Sequence, residues 1–249
     1  MPFSKQEFLD NLNDPKKLFF SYAVKISSVN FTLLLEYFVE KADDVFFYNE
    51  PENKISFLSF DCLTRQSFGF TELDLLENMV ALLKNKLISN HSDYSGYNLP
   101  SFIVSSKFPI KRNSEEWKHF GDVDLIVPKI ILYQNSDTCF LIANQFSESF
   151  VRQGYFNDFL ETQAGLIYNI ENKVIPKNST VAGIAIKEDK DELNNWTDLL
   201  NKLFIKIPEL QIDKVVISRR VEGEIINDIS WKRIIDELNR KYPSCTNFL

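Results

Sequence analysis

The stretch that most constrains this chain is residues 192–220, where a helical period runs almost directly into a strand period. Trp196, Leu199, Leu200, Leu203, Phe204 and Ile207 recur at i, i+3, i+4, i+7, i+8 and i+11, which lines one continuous face of a helix. Pro208 ends that run, since proline brings no amide hydrogen and crowds the preceding turn. After a short connection, Lys214-Val215-Val216-Ile217-Ser218-Arg219 reads as a strand. Alternation places Lys214, Val216 and Ser218 on one face and Val215, Ile217 and Arg219 on the other. A charged residue at the head of an otherwise apolar strand needs a reason.

The remaining segments carry local signals of the same two kinds. Ser4 and Glu7 form a capping-box pattern ahead of Phe8, Leu9 and Leu12. A second helix fits residues 28–39, with Phe31, Leu34, Leu35 and Phe38 on one face. Val45 to Phe60 reads as a hairpin about a polar turn at Glu50–Lys54. Thr71 is placed to cap a helix striped by Leu73, Leu76, Met79, Val80, Leu83 and Leu87. The loop ISNHSDYSGYNLP ends at Pro100 and leads to a strand at SFIVSSKF, a helical piece around Trp117, and a hairpin from VPKIILYQ and TCFLIANQF. Residues 153–172 read as a helix, followed by a turn at Pro176–Ser179 and a strand at TVAGIAI. Ser230 would cap a helix with Trp231, Ile234, Ile235 and Leu238 inward, and YPSCTNFL begins another strand. With no repeat and no linker, the expectation is a single α+β region over residues 1–249, a mostly antiparallel sheet with packed helices.

Composition excludes several functions. A formal charge of -7 without a basic stripe argues against nucleic acid and against anionic membrane surfaces. No apolar run approaches the roughly 20 residues of a membrane helix. Seven glycines, none in a phosphate-cradling pattern, give nucleotide binding no support. Cys62, Cys139 and Cys245 are too scattered for a disulfide framework, and with only His91 and His119 beside them a zinc site is not indicated. The polar N-terminus has no signal-peptide core, so a reducing cytoplasm is expected. Cys62 and Cys139 lie in apolar strands and read as inert core thiols, Trp196 and Trp231 as core anchors, and His119 as a helix-surface residue.

The segment NNWTDLLNKLFIKIPELQIDKVVISRR resembles the chorismate-utilising enzymes, and among them the isochorismate synthases. The likeness rests on Trp196, Leu200, Phe204 and Ile207, then on Lys214, Val215, Val216, Ile217, Ser218 and Arg219. FFYNEPEN, FPIKRNSEEWKHFGDVDLIVPKI and YPSCTNF are similar to further family segments. Ser106 and Lys107 stand where paired glycines are common, and Asn49 where an aromatic is frequent. The family's catalytic domain continues well past this point, and its general-acid glutamate and Mg²⁺-holding glutamates lie in that later part. The chain is therefore expected to be the N-terminal portion of an isochorismate synthase, a partial chorismate-utilising-enzyme fold, inactive by itself. The apolar ending Asn-Phe-Leu agrees with that expectation.

Through this resemblance Lys214 gains a role. Isochorismate synthases add water to chorismate, and a base must take the water proton. Lys214 is the candidate general base, because aminating relatives typically carry glutamine there. Arg219 is a candidate for binding a substrate carboxylate. The resemblance implies Mg²⁺, with none of its ligands in this chain. Service in menaquinone or in siderophore biosynthesis stays open, as does a salicylate-forming or aminating relative. A non-catalytic interaction module is the alternative from another class. Apolar surface left uncovered makes self-association of these residues an expectation.

Overall fold

The computed structural model describes residues 2–106, 122–148, 153–173, 184–186, 190–209, 223–225 and 229–249. In chain order they form α1 (Lys5–Asn13), β1 (Lys17–Ile26), α2 (Phe31–Lys41), β2 (Phe46–Glu50), β3 (Ile55–Phe68), α3 (Leu73–Lys86), β4 (Leu87–Ser89), β5 (Ile103–Ser106), β6 (Val123–Asn135) and β7 (Thr138–Glu148). There follow α4 (Gln153–Lys173), β8 (Ile184–Ile186), α5 (Lys190–Glu209), β9 (Gly223–Ile225), α6 (Trp231–Lys241) and β10 (Asn247–Phe248). Two compact units result, Met1–Pro176 with Trp231–Leu249, and Lys177–Ser230. The chain thus leaves the first unit after α4 and re-enters it at α6.

The first unit is built on an eight-stranded sheet in the order β10-β2-β3-β6-β7-β1-β4, with β5 paired to β6. Its pairings are antiparallel except for the short β1–β4 contact. Mixed α+β architecture with a mostly antiparallel sheet is therefore what the chain adopts.

The sheet forks. β6 and β7 pair only as far as Ile130↔Ala143. Beyond that point β6 continues with β3 and β5 to Val123, while β7 continues with β1 to Glu148. Pro128 sits at the fork and has no amide hydrogen to offer a ladder. Its carbonyl accepts instead from Asn144 Nδ2 at 2.8 Å, and the same amide donates to the Ser101 carbonyl at 2.7 Å. A register shift between Cys62 and Thr64 bends the neighbouring strand at the same level.

Three apolar clusters follow from this geometry. On one face Leu58, Phe60, Ile130, Leu132 and Leu141 pack against Leu34, Leu35 and Phe38 of α2, Leu160 and Ile167 of α4, and Ile235 of α6. Phe38 stacks on Phe60 with ring centres 3.8 Å apart. A second cluster draws on both arms of the fork, with Phe19 from β1 and Val123, Leu125 and Val127 from β6, closed by Phe8 and Leu12 of α1 and Leu76, Met79 and Leu83 of α3. The third lies on the sheet's other face, where Ile131, Phe140 and Ile142 meet Tyr94, Tyr97 and Leu99.

Several sequence signals appear as read. The Ser4–Glu7 capping box is complete, with both reciprocal bonds made. Other expectations need correction. The second helix starts at Phe31 rather than 28, because Asn30 caps it by accepting from the Leu33 amide. Thr71 is not a cap: it lies in a 3₁₀ turn, and the Glu72 carboxylate takes the Gly69 amide. Of the inward face expected for α6, Ile235 is buried and Trp231 and Leu238 pack against the first cluster, while Ile234 is exposed. Pro208 lies inside the last turn of α5 rather than ending it. Trp196 is half-buried rather than a core anchor, and the helical piece around Trp117 falls outside the described residues. The strand β1 carried no expectation, yet it pairs along its whole length with β7.

Two polar devices fix the β1–β4 edge. Lys86 Nζ donates to the carbonyls of Asn11 (3.3 Å), Lys17 (2.9 Å) and Asp14, tying the end of α3 to the α1–β1 turn. Farther along the same edge, β4 stops at Ser89 and the Asn90 side chain takes over its role. Asn90 Oδ1 accepts from the Ala23 amide and Nδ2 donates to the Ala23 carbonyl, both at 2.8 Å. His91 then shares a hydrogen bond with fully buried Ser21 at 3.2 Å. Tyr94 and Tyr97 set their rings edge-on to Phe140 and close the third cluster.

Lys86→Met should strand three backbone carbonyls and lower stability by about 2 kcal/mol, the scale of lost charge-assisted hydrogen bonds, as read from urea unfolding. Burial lowers the His91 pKa below its ordinary 6.5. Its contribution to stability is then full above about 6.5 and declines as pH falls, because the unfolded chain takes up the proton first. The stability difference between the native chain and His91→Gln should shrink as pH drops below that value. A difference that stays flat from pH 7.5 to 5 would refute the burial effect.

Candidate functional site

The strand that sequence reasoning singled out, with Lys214 and Arg219, lies outside the described residues, as does His119. What surrounds it in the chain is described. In the unit Lys177–Ser230, α5 carries its apolar period as a narrow half-buried stripe of Trp196, Leu200, Leu203 and Ile207, with Leu199 and Phe204 exposed. β8 and β9 pair antiparallel through Ile184↔Ile225, Ala185↔Glu224 and Ile186↔Gly223. A two-stranded ribbon of this length is marginal alone. Local pattern makes the helix, whereas the ribbon depends on what packs around it.

The ionisable groups buried in the first unit serve structural ends. Asp124 is 2 % exposed and accepts from Arg65 Nη2 at 3.1 Å and from the Ser67 hydroxyl, so its charge is matched across β3 and β6. Glu36 of α2 is also buried, and its Oε2 accepts the Lys232 amide at 3.0 Å in the first turn of α6, where a negative charge suits the helix dipole. Thr32 reinforces that junction by donating to Asp236 at 2.9 Å. Asn49 pairs with the Ser56 hydroxyl at 3.0 Å within the sheet. An amide thus fills the place where the family often has an aromatic.

Burial, with the charge of Asp44 behind it, pushes the Cys62 thiol up to about 12. Burial likewise holds Cys139 at about 11. Neither is a nucleophile at neutral pH. Among the described residues no three His, Cys, Asp or Glu side chains converge as a metal site. No described helix is long and apolar enough to cross a membrane.

The two residues proposed from sequence, Lys214 and Arg219, both fall outside the described set. Sequence reasoning had assigned no role to Asn144, Asn90, His91 or Glu36. Their signals were weak: each is a polar residue beside apolar ones, which is only meaningful once its partner is known.

Comparison with known proteins identifies the setting. The sequence model of the family described as "Chorismate binding enzyme" matches residues 6–249. The isochorismate synthase MenF of Bacillus subtilis (strain 168) is 22 % identical over 256 residues, an alignment covering 96 % of this chain and 53 % of that protein. The structure of MenF, the menaquinone-specific isochorismate synthase from Escherichia coli, aligns with a TM-score of 0.51 at 14 % identity, covering 98 % of this chain and 50 % of that one. At that identity the likeness speaks for a shared fold. The chain spans about half the length of these relatives.

Ellman's reagent at pH 8 should titrate one thiol per folded chain promptly, the exposed Cys245, and the other two only after unfolding in guanidinium. Rapid reaction of a second thiol in the folded state would contradict the burial of Cys62 and Cys139.

Proposed function

This chain belongs to the chorismate-binding enzymes, and from that premise we propose that it is the N-terminal part of an isochorismate synthase in which Lys214 is the general base. The observation that carries this reading is the family match over residues 6–249, which includes a lysine at the head of Lys214-Val215-Val216-Ile217-Ser218-Arg219. Glutamine at that place would suit ammonia, whereas lysine suits water.

In the proposed reaction the water oxygen bonds to the ring carbon beside the carboxylate-bearing one, and Lys214 takes the water proton. A hydroxyl leaves elsewhere on the ring with a proton from an acid. One water enters and one leaves, so the net change is an isomerisation. The amine must be neutral to act, which requires its pKa to fall from about 10.4 to near 7. Alternation sets Lys214 on the same strand face as Val216, and an apolar neighbour disfavours the ammonium form. Arg219, at the far end of the strand, enters the same proposal as a cation for a substrate carboxylate. The general acid and the Mg²⁺ ligands are assigned to sequence beyond residue 249. Residues 1–249 are given only the proton-accepting step, as part of one chorismate-binding region that continues past them. A menaquinone-linked role follows the Escherichia coli MenF, described as menaquinone-specific, and a cytoplasmic location accords with three free cysteines.

A second reading, a non-catalytic interaction module, draws support from the substantial core that the first unit forms by itself. Extending the chain to the length of its relatives and assaying Lys214→Ala separates the two. The enzymatic reading expects kcat to fall by about 10²-fold or more, the usual worth of a general base, with melting temperature nearly unchanged. It also expects the alkaline-favoured limb of the pH–rate profile to vanish in the variant. The 249 residues alone should convert no chorismate. Retention of activity within a factor of two after Lys214→Ala would end the proposal for that residue.

Apolar side chains stand uncovered at Phe248 (75 % exposed) and Phe204 (70 % exposed), with Ile205, Tyr168 and Leu166 similarly open. Self-association of these 249 residues is part of the proposal. Static light scattering should show mass rising with concentration, and a constant monomer mass at high concentration would count against it.

A further inference from the structure

We draw no further inference here: the strongest candidate, the cavity of about 240 Å³ at the fork of β6 and β7 walled by Leu63, Ile130, Ala143 and Phe159, carries nothing, because the orphaned acceptor on its wall, Asn144 Oδ1, is itself sealed from solvent and nothing in the structure shows what would occupy the space.

Discussion

The arrangement of the first unit depends on where β6 and β7 part company. An antiparallel ladder that continued past Ile130↔Ala143 would leave one flat sheet with two faces to cover. Parting there turns β1 and β7 away from β3, β5 and β6 and opens a wedge that α1 and α3 fill with Phe8, Leu12, Leu76, Met79 and Leu83. Separation of strands exposes backbone carbonyls, and each one left buried and unpaired costs about 1–3 kcal/mol. Asn144 covers two of them with a single amide, at Pro128 and Ser101. Pro128 contributes by having no amide that would need a partner at the same point. One proline and one asparagine thus reduce the polar cost of the fork, although Asn144 Oδ1 itself stays buried without a partner.

Elements whose cause is local were legible in the sequence. The capping box at Ser4, the apolar faces of α2 and α3, and the hairpins β2–β3 and β6–β7 all arise from residues within a few positions of one another. What escaped has distant causes. β1 is covered on both faces, so Phe19, Phe20, Ser21, Tyr22 and Ala23 are all buried and the alternation that marks a half-exposed strand is absent. β4 is three residues long and is recognisable only by its parallel partner, Phe19–Ser21. The fork cannot be read from either strand alone, since both β6 and β7 look like continuous strands throughout.

The same division explains the polar residues. Asn90 and His91 sit in a stretch of Ser, Asn and Gly that reads as a solvated loop. Their function is to extend the sheet edge by mimicking a backbone amide pair and to fasten the loop over the third cluster. Nothing in the local pattern distinguishes them from their neighbours Asn98 or Ser95. Lys214 presents the opposite case. The sequence period reads as a strand headed by Lys214, but a role in chemistry came only through likeness to a family, because a lysine at a strand end ordinarily extends its charge to water.

Thermodynamics then bears on what kind of scaffold such a lysine requires. Holding an amine neutral near pH 7, against an ordinary value of about 10.4, means disfavouring its charged form by about 4 kcal/mol. That is a large share of the 5–15 kcal/mol by which a typical domain is stable, so the cost must be carried by a well-packed core. A ribbon of two three-residue strands and one helix with a narrow buried stripe is a poor source of such stability. The first unit, by contrast, has three apolar clusters and fully buried Phe8, Phe19, Phe47, Phe68 and Phe140. In the chain the segment bearing Lys214 follows α4 and precedes α6, and those two helices place Ile167 and Ile235 in the first cluster. Glu36 and Thr32 hold the first turns of α6 in place just where the chain returns. The proposal for Lys214 therefore asks for apolar cover around that amine beyond what the ribbon and α5 provide by themselves.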